Sequence, residues 1–131
     1  VPSVHRKSRR CLPLESWLPD ETLQSIALEN NLSETAFFVR TGDRFALRWF
    51  TPEVEVDLCG HATLASAYVL FRELGLESDR VCFDTRSGEL VVTQSGDLLS
   101  LDFPSRPPSA GDVHPRLIDA LGAQPLTILS A

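Results

Sequence analysis

The chain has 131 residues, of which 43% are hydrophobic and 23% charged, and its formal net charge at pH 7 is -6. This length suits one domain with its own core, and the composition excludes a disordered or fibrous protein. The acidic balance argues against general binding to nucleic acid or anionic membranes, because both need positive charge to meet phosphate groups.

The first half of the sequence predicts a helix, a hairpin and a second helix. LPDETLQSIALENN has apolar residues at helical spacing, with Asp20 as the expected N-cap. Two β-rich runs, ETAFFVR and RFALRWFT, flank the turn residues TGD and predict the hairpin. From His61 to Leu74 nearly every residue is apolar or small, which indicates a helix covered on all sides. Gly75 follows as its C-cap.

The second half predicts a three-stranded meander and a last helix. RVCFDTR, ELVVTQ and LLSLDF are separated by the turn signals SG and SGD. HPRLIDALG predicts a helix that ends at Gly122, and PLTILS predicts a further strand. These elements together predict an α+β fold, in which a mostly antiparallel sheet is rolled as a barrel around one buried central helix.

The cysteine pattern bears on metal binding and on compartment. Cys11, Cys59 and Cys82 form neither a CxxC pair nor an even set, so their spacing predicts no metal site and no disulfide scaffold. We expect Cys11, Cys82 and His114 to be structural. The longest apolar run is too short to cross a bilayer and no signal peptide opens the chain, so we expect a soluble cytoplasmic protein.

The stretch DLCGHATLA, residues 57–65, gathers chemically active residues at the predicted start of the apolar helix. Free backbone N–H groups and the positive dipole end could hold an anion there, and Gly60 would let it approach the backbone. His61 is either an acid, base or donor, or a capping or core histidine. Cys59 is either a dipole-activated thiolate or a small buried hydrophobe. Asp57 belongs to the site or to a solvated acidic turn.

Glu34 is the third candidate for chemistry. It precedes a strand of apolar and aromatic residues, so desolvation would suit it to proton transfer near neutral pH. An exposed strand-edge carboxylate is the alternative, and this segment alone favours it.

Three motifs resemble the amino-terminal half of the PhzF-like family of phenazine-biosynthesis-type isomerases, which are related in fold to diaminopimelate epimerase. NLSETAF, TPEVEVDLCGHATLA and TRSG occur in the family's order and spacing, and the similarity covers residues 11–131. The resemblance implies a cofactor-independent isomerase of a small carboxylate-bearing metabolite, with its active site between two similar domains. Residues 13–131 would form the first domain, and the second family domain is absent from this sequence.

The resemblance also implies roles for individual residues. Glu34 would be the general acid/base and His61 would assist it. In the epimerase and racemase relatives a cysteine before the glycine is the base, so a cysteine-based racemase that uses Cys59 is an alternative. The expected substrate-binding residues are Asp57, Gly60, His61, Ala62 and Thr63.

Two departures from the family qualify this assignment. With only one of the two domains, we expect the isomerase activity to be impaired. The alternative is a non-catalytic module that binds a small acid or a partner. The exposed domain face would favour a homodimer. In addition, residues 1–12 are atypical, because VHRKSRRCL stands where the family has a loop of the type FTGNPAAVC. Reading one base later could restore that loop, so we hypothesise a frameshift, which would make the basic cluster HRKSRR an artefact rather than a nucleic-acid site.

Overall fold

The computed structural model describes residues 10–105, 107–111, 115–123 and 126–130. The helices are α1 (Asp20–Asn30), α2 (Gly60–Tyr68), which a π-helical turn (Val69–Glu73) continues, and α3 (Pro115–Leu121). The strands are β1 (Arg10–Leu14), β2 (Thr35–Thr41), β3 (Arg44–Phe50), β4 (Glu55–Val56), β5 (Arg80–Thr85), β6 (Gly88–Ser95), β7 (Leu98–Asp102), β8 (Ser109–Ala110) and β9 (Leu129–Ser130). His114 and most of the atypical amino-terminal segment lie outside the described residues. No described helix is long and apolar enough to cross a membrane.

The predicted hairpin and meander are confirmed. Strands β2 and β3 pair antiparallel along their whole length, and Gly42, in the turn between them, has φ of 70°. Strands β5, β6 and β7 pair antiparallel in sequence order. The predicted N-cap is wrong, because α1 begins at Asp20 after Pro19, and the carboxylate of Asp20 accepts a hydrogen bond from Arg48 at 2.9 Å instead.

Two parallel crossovers explain why helices cover both faces of the sheet. The chain passes from β1 through α1 to the parallel strand β2, and from β3 through α2 to the parallel strand β5. Both crossovers move in the same direction along the strand order, but β1 and β2 run antiparallel to β3 and β5. A right-handed crossover therefore puts α1 on one face of the sheet and α2 on the opposite face. Strand β2 is therefore buried on both faces.

The core is accordingly divided in two by the sheet. On one face, Ala67 of α2 and Leu70 of the π-helical turn pack with Phe38 and Trp49 in the larger cluster. On the other face, Leu23 and Ala27 of α1 pack with Phe37 and Phe50. Successive residues of β2 enter opposite clusters, as the two-residue period of a strand requires.

The sheet does not close into a barrel, and in this respect the predicted fold is wrong. Its strand order is β1-β2-β3-β5-β6-β7, with β4 paired to β3, so β1 and β7 are the two ends of the sheet and do not pair with each other within the described residues. Strands that pair lie about 4.8 Å apart. Because α2 contacts both β1 and β7 and stands between them, these two strands are too far apart to pair. A groove of about 940 Å³ remains, lined by Cys11, Leu64 and Leu98 among others, and Tyr68 of α2 is 51% exposed. The helix is therefore not covered on all sides.

Glu55 fixes the loop that leads into α2. Its carboxylate accepts hydrogen bonds from Arg48 at 2.7 and 2.8 Å and lies 2.8 Å from Arg86 Nη2, and its side chain is 11% exposed. The hydrogen bond to Glu55 raises the pKa of Arg48. Ser87 Oγ donates to the backbone oxygen of Asp57 at 2.8 Å. The TRSG turn, which carries Arg86 and Ser87, thus holds the loop in front of the helix.

We expect Glu55→Gln to lower the free energy of unfolding by about 1–3 kcal/mol, because two arginines would lose the charge that they share. Urea denaturation measures this change. Glu53→Gln is the matched control, since Glu53 lies exposed in the same loop, and it should change stability by less than about 0.5 kcal/mol. Equal losses in the two variants would contradict the assigned role of Glu55.

Gly60 at the start of α2 lies against a half-exposed aromatic ring. A Cβ atom there would lie 2.6 Å from Cε2 and Cζ of Phe103, whose ring covers the first helical residue. Alanine favours a helix over glycine by up to about 1 kcal/mol, whereas overpacking costs about 1–3 kcal/mol.

Gly60→Ala should therefore be less favourable in the wild-type protein, where the Phe103 ring must move, than in the Phe103→Ala variant. A double-mutant cycle of unfolding free energies measures this coupling. Equal changes in the two backgrounds would show that the ring does not constrain position 60.

Candidate active site

The candidate site forms where the segment before β2 meets the first turn of α2. Asn31, in the left-handed conformation with φ of 47°, ends α1, and its N–H donates to Ala27 and Leu28 oxygens. Asn30 Nδ2 then donates to Thr35 Oγ1 at 3.2 Å, which ties the end of the helix to the first residue of β2. Glu34 lies directly before that strand and is therefore held at the amino-terminal end of β2.

Glu34 and His61 contact each other directly. Glu34 Oε2 lies 2.7 Å from His61 Nε2, although the residues are 27 positions apart in the chain. The Glu34 side chain is 20% exposed and that of His61 is 43% exposed. Two residues that were selected from separate motifs therefore form one hydrogen-bonded pair, which a ligand can reach from solvent.

Cys59 lies on the inner side of this pair. It precedes α2 in an extended conformation and is 7% exposed. Its Sγ lies 3.6 Å from His61 Nδ1 and 3.7 Å from Nε2. One carboxylate oxygen, one thiol sulfur and one imidazole nitrogen all lie within 4.8 Å of one another.

The mouth of α2 offers three backbone donors. Thr63 N–H donates to the Cys59 oxygen at 3.1 Å and Thr63 Oγ1 donates to the same atom at 2.7 Å, so Thr63 is already part of the helix. The Thr63 N–H is therefore occupied within the helix, and a contact between Thr63 and the substrate stays a prediction. No side chain caps the helix, which leaves the N–H groups of Gly60, His61 and Ala62 for a ligand.

Two other predicted features have a different environment from the expected one. Gly60 faces the ring of Phe103, so one side of the mouth has an aromatic wall where open access was expected. The Asp57 carboxylate is 72% exposed and lies 3.9 Å from Arg86 Nη1. It is not among the groups that meet at His61, and its contact with substrate stays a prediction.

Sequence reasoning missed Phe103 and the supporting function of Arg86 and Ser87. Phe103 follows β7 directly and lies next to the start of α2 because β7 packs against that helix, a long-range contact for which no local pattern exists. The TRSG motif was recognisable, but the sequence alone did not connect it to the loop before α2.

Comparison with known proteins identifies related sequences and a related fold. A family model described as phenazine biosynthesis-like protein, PhzC-PhzF, matches residues 11–119. An uncharacterised isomerase of Pseudomonas aeruginosa is 54% identical over 117 residues, which cover 89% of this chain and 45% of that protein. A crystal structure of a PhzF-family phenazine biosynthesis protein from Enterococcus faecalis matches with a TM-score of 0.75 and 48% identity, covering 89% of this chain and 45% of that one.

A more distant similarity extends to the fold alone. The structure of a predicted epimerase from Pseudomonas aeruginosa matches with a TM-score of 0.55 at 23% identity. This chain spans about half the length of the curated relatives that it matches. The extent of the family match, the motifs and the shared fold show that the chain belongs to the PhzC-PhzF family of phenazine biosynthesis-like proteins.

Proposed function

We propose that this chain supplies the proton-transferring part of an isomerase that acts on a small carboxylate-bearing metabolite. The observation that carries the proposal is the 2.7 Å contact between Glu34 Oε2 and His61 Nε2 at the open mouth of α2. The bacterial relatives from Pseudomonas aeruginosa and Halalkalibacterium halodurans are named isomerases, which supports the reaction class.

The mouth of α2 is the proposed binding site for the substrate carboxylate. The N–H groups of Gly60, His61 and Ala62 point out of the helix start, where the positive end of the dipole favours an anion. Phe103 would border the site on one side and exclude water from the apolar part of the substrate. Bound there, the substrate has its reacting carbons next to Glu34.

Glu34 then moves a proton between two carbon atoms of the substrate. Its carboxylate removes a proton from a carbon next to a C=C bond, and the electron pair of the broken C–H bond forms a new double bond to the adjacent carbon. The π pair of the original double bond moves to its far carbon, and the same carboxyl group returns the proton to that carbon. Composition and oxidation state do not change, so the step requires no external oxidant or reductant.

His61 is the proposed positioning partner of this carboxylate. With its proton on Nε2, the ring donates to Glu34 Oε2, and the Cys59 sulfur lies nearly equally far from both ring nitrogens, at 3.6 and 3.7 Å. The hydrogen bond fixes one carboxylate oxygen and leaves the other free for the substrate proton. Geometry of this kind is a requirement for efficient general acid–base catalysis.

A second candidate function follows from the position of Cys59. Its sulfur is close enough to His61 to pass a proton to the imidazole, as a cysteine-based racemase requires. The thiol is more buried than Glu34, so Glu34 is the better base for a substrate that approaches from solvent. Binding of a small acid without turnover is the third outcome that experiment must separate.

We expect this chain in D₂O to catalyse exchange of solvent deuterium into C–H positions of a small unsaturated carboxylic acid. NMR against a panel of such acids, with the complete Pseudomonas aeruginosa relative run in parallel, measures the exchange. Glu34→Gln should slow exchange by about 10²–10⁴-fold, the usual contribution of a general acid–base residue. Glu29→Gln, an exposed carboxylate on α1, is the matched control and should leave the rate unchanged.

Each of the other outcomes contradicts the assignment. Exchange that survives Glu34→Gln but is lost in Cys59→Ala would establish the cysteine-based racemase. Binding of an acid at α2 without exchange, in a panel with which the relative does exchange, would assign this chain to non-catalytic binding.

A further inference from the structure

We propose that Glu34, Cys59 and His61 together form a binding site for a thiophilic divalent metal ion such as Zn²⁺. The three side chains offer one oxygen, one sulfur and one nitrogen, and these atoms lie within 4.8 Å of one another. Among the residues that the structure describes, no other group of three histidine, cysteine or acidic side chains meets this condition.

The chemistry of the three donors selects the class of ion. Thiolate and imidazole are ligands that Zn²⁺ prefers, and carboxylate is its common third ligand in sites that keep an open position. A thiolate disfavours Mg²⁺ and Ca²⁺, which bind oxygen ligands almost exclusively. The set is thus typical of Zn²⁺, Co²⁺ or Cd²⁺ with one further position for water.

The distances between donor atoms approach those of a tetrahedral site. With Zn–N near 2.05 Å and Zn–S near 2.3 Å, tetrahedral angles require an N···S separation of about 3.6 Å and an N···O separation of about 3.4 Å. The observed Cys59 Sγ to His61 Nε2 distance is 3.7 Å, and Glu34 Oε2 lies 2.7 Å from the same nitrogen. Because Sγ is also 3.6 Å from Nδ1, it lies over the imidazole face, so the exposed His61 ring must turn and the Glu34 carboxylate must withdraw to admit the ion.

Charge and access also fit a divalent cation. A thiolate and a carboxylate with a neutral imidazole carry a charge of -2, which an M²⁺ ion neutralises. The start of α2 disfavours a cation, but the same dipole favours the thiolate that binds it. His61 is 43% exposed, so an ion and its remaining water can enter from solvent.

Metal binding would remove the hydrogen bond that positions Glu34 in the proposed proton transfer. Glu34 Oε2 and His61 Nε2 contact each other directly, so their hydrogen bond has to break before both atoms can coordinate the ion. The metal site goes beyond the proposed isomerase function and does not depend on it, because the side-chain geometry alone carries it.

Titration with Co²⁺ under reducing conditions tests the site without any measurement of turnover. We expect one equivalent to bind and to produce the near-ultraviolet charge-transfer absorption of a cobalt–thiolate bond, which Zn²⁺ should then abolish by displacement. Cys59→Ser should remove this absorption. His61→Gln should weaken Co²⁺ binding at least tenfold, and because His61 is exposed this variant should keep its fold, which circular dichroism verifies.

Two controls address the other thiols and imidazoles of the chain. Cys82→Ser retains the proposed ligands and should keep the full absorption. The double variant His5→Gln/His114→Gln removes the two other histidines and should also bind Co²⁺ as the wild type does. Binding without the thiolate absorption, binding that survives both Cys59→Ser and His61→Gln, or no binding to the folded wild-type chain would each overturn the proposal.

Discussion

The hydrogen bond between Glu34 and His61 depends on where two elements begin. Glu34 stands one residue before β2, and His61 is the second residue of α2, so their contact is fixed by how that helix rests on that strand. Burial of β2 on both faces holds one side of the contact rigid. On the other side, Glu55 and its two arginines fix the loop in front of α2. The position of Glu34 relative to His61 therefore could not be predicted from either local sequence segment alone.

Local signals in the sequence predicted most of the elements. The turn TGD between two β-rich runs gave the hairpin, and the SG and SGD turns gave the meander, because these signals act over a few residues. The closed barrel failed for the opposite reason. Whether β1 and β7 meet depends on the volume of α2 between them, and hydrophobic periodicity contains no information about that separation.

The site was predictable to a similar degree. Glu34, Cys59 and His61 were all named from the sequence, and resemblance to a family supplied the reason to connect them. The physical connection is a contact across 27 positions, which no spacing rule contains. Thr63 shows the limit of motif reasoning in the other direction. It lies within the run GHAT, next to the proposed anion-binding residues, but its N–H already donates a hydrogen bond to the Cys59 oxygen within the helix.

The position of β1 at one end of the described sheet has a consequence for how the chain meets other molecules. An open strand normally invites another extended chain to continue its hydrogen-bonded ladder, which leads to aggregation. Pro13 sits in the fourth of the five described positions of β1 and has no N–H to offer. Where the sheet stops short of closure, one proline ring therefore limits the extension of this border by another strand.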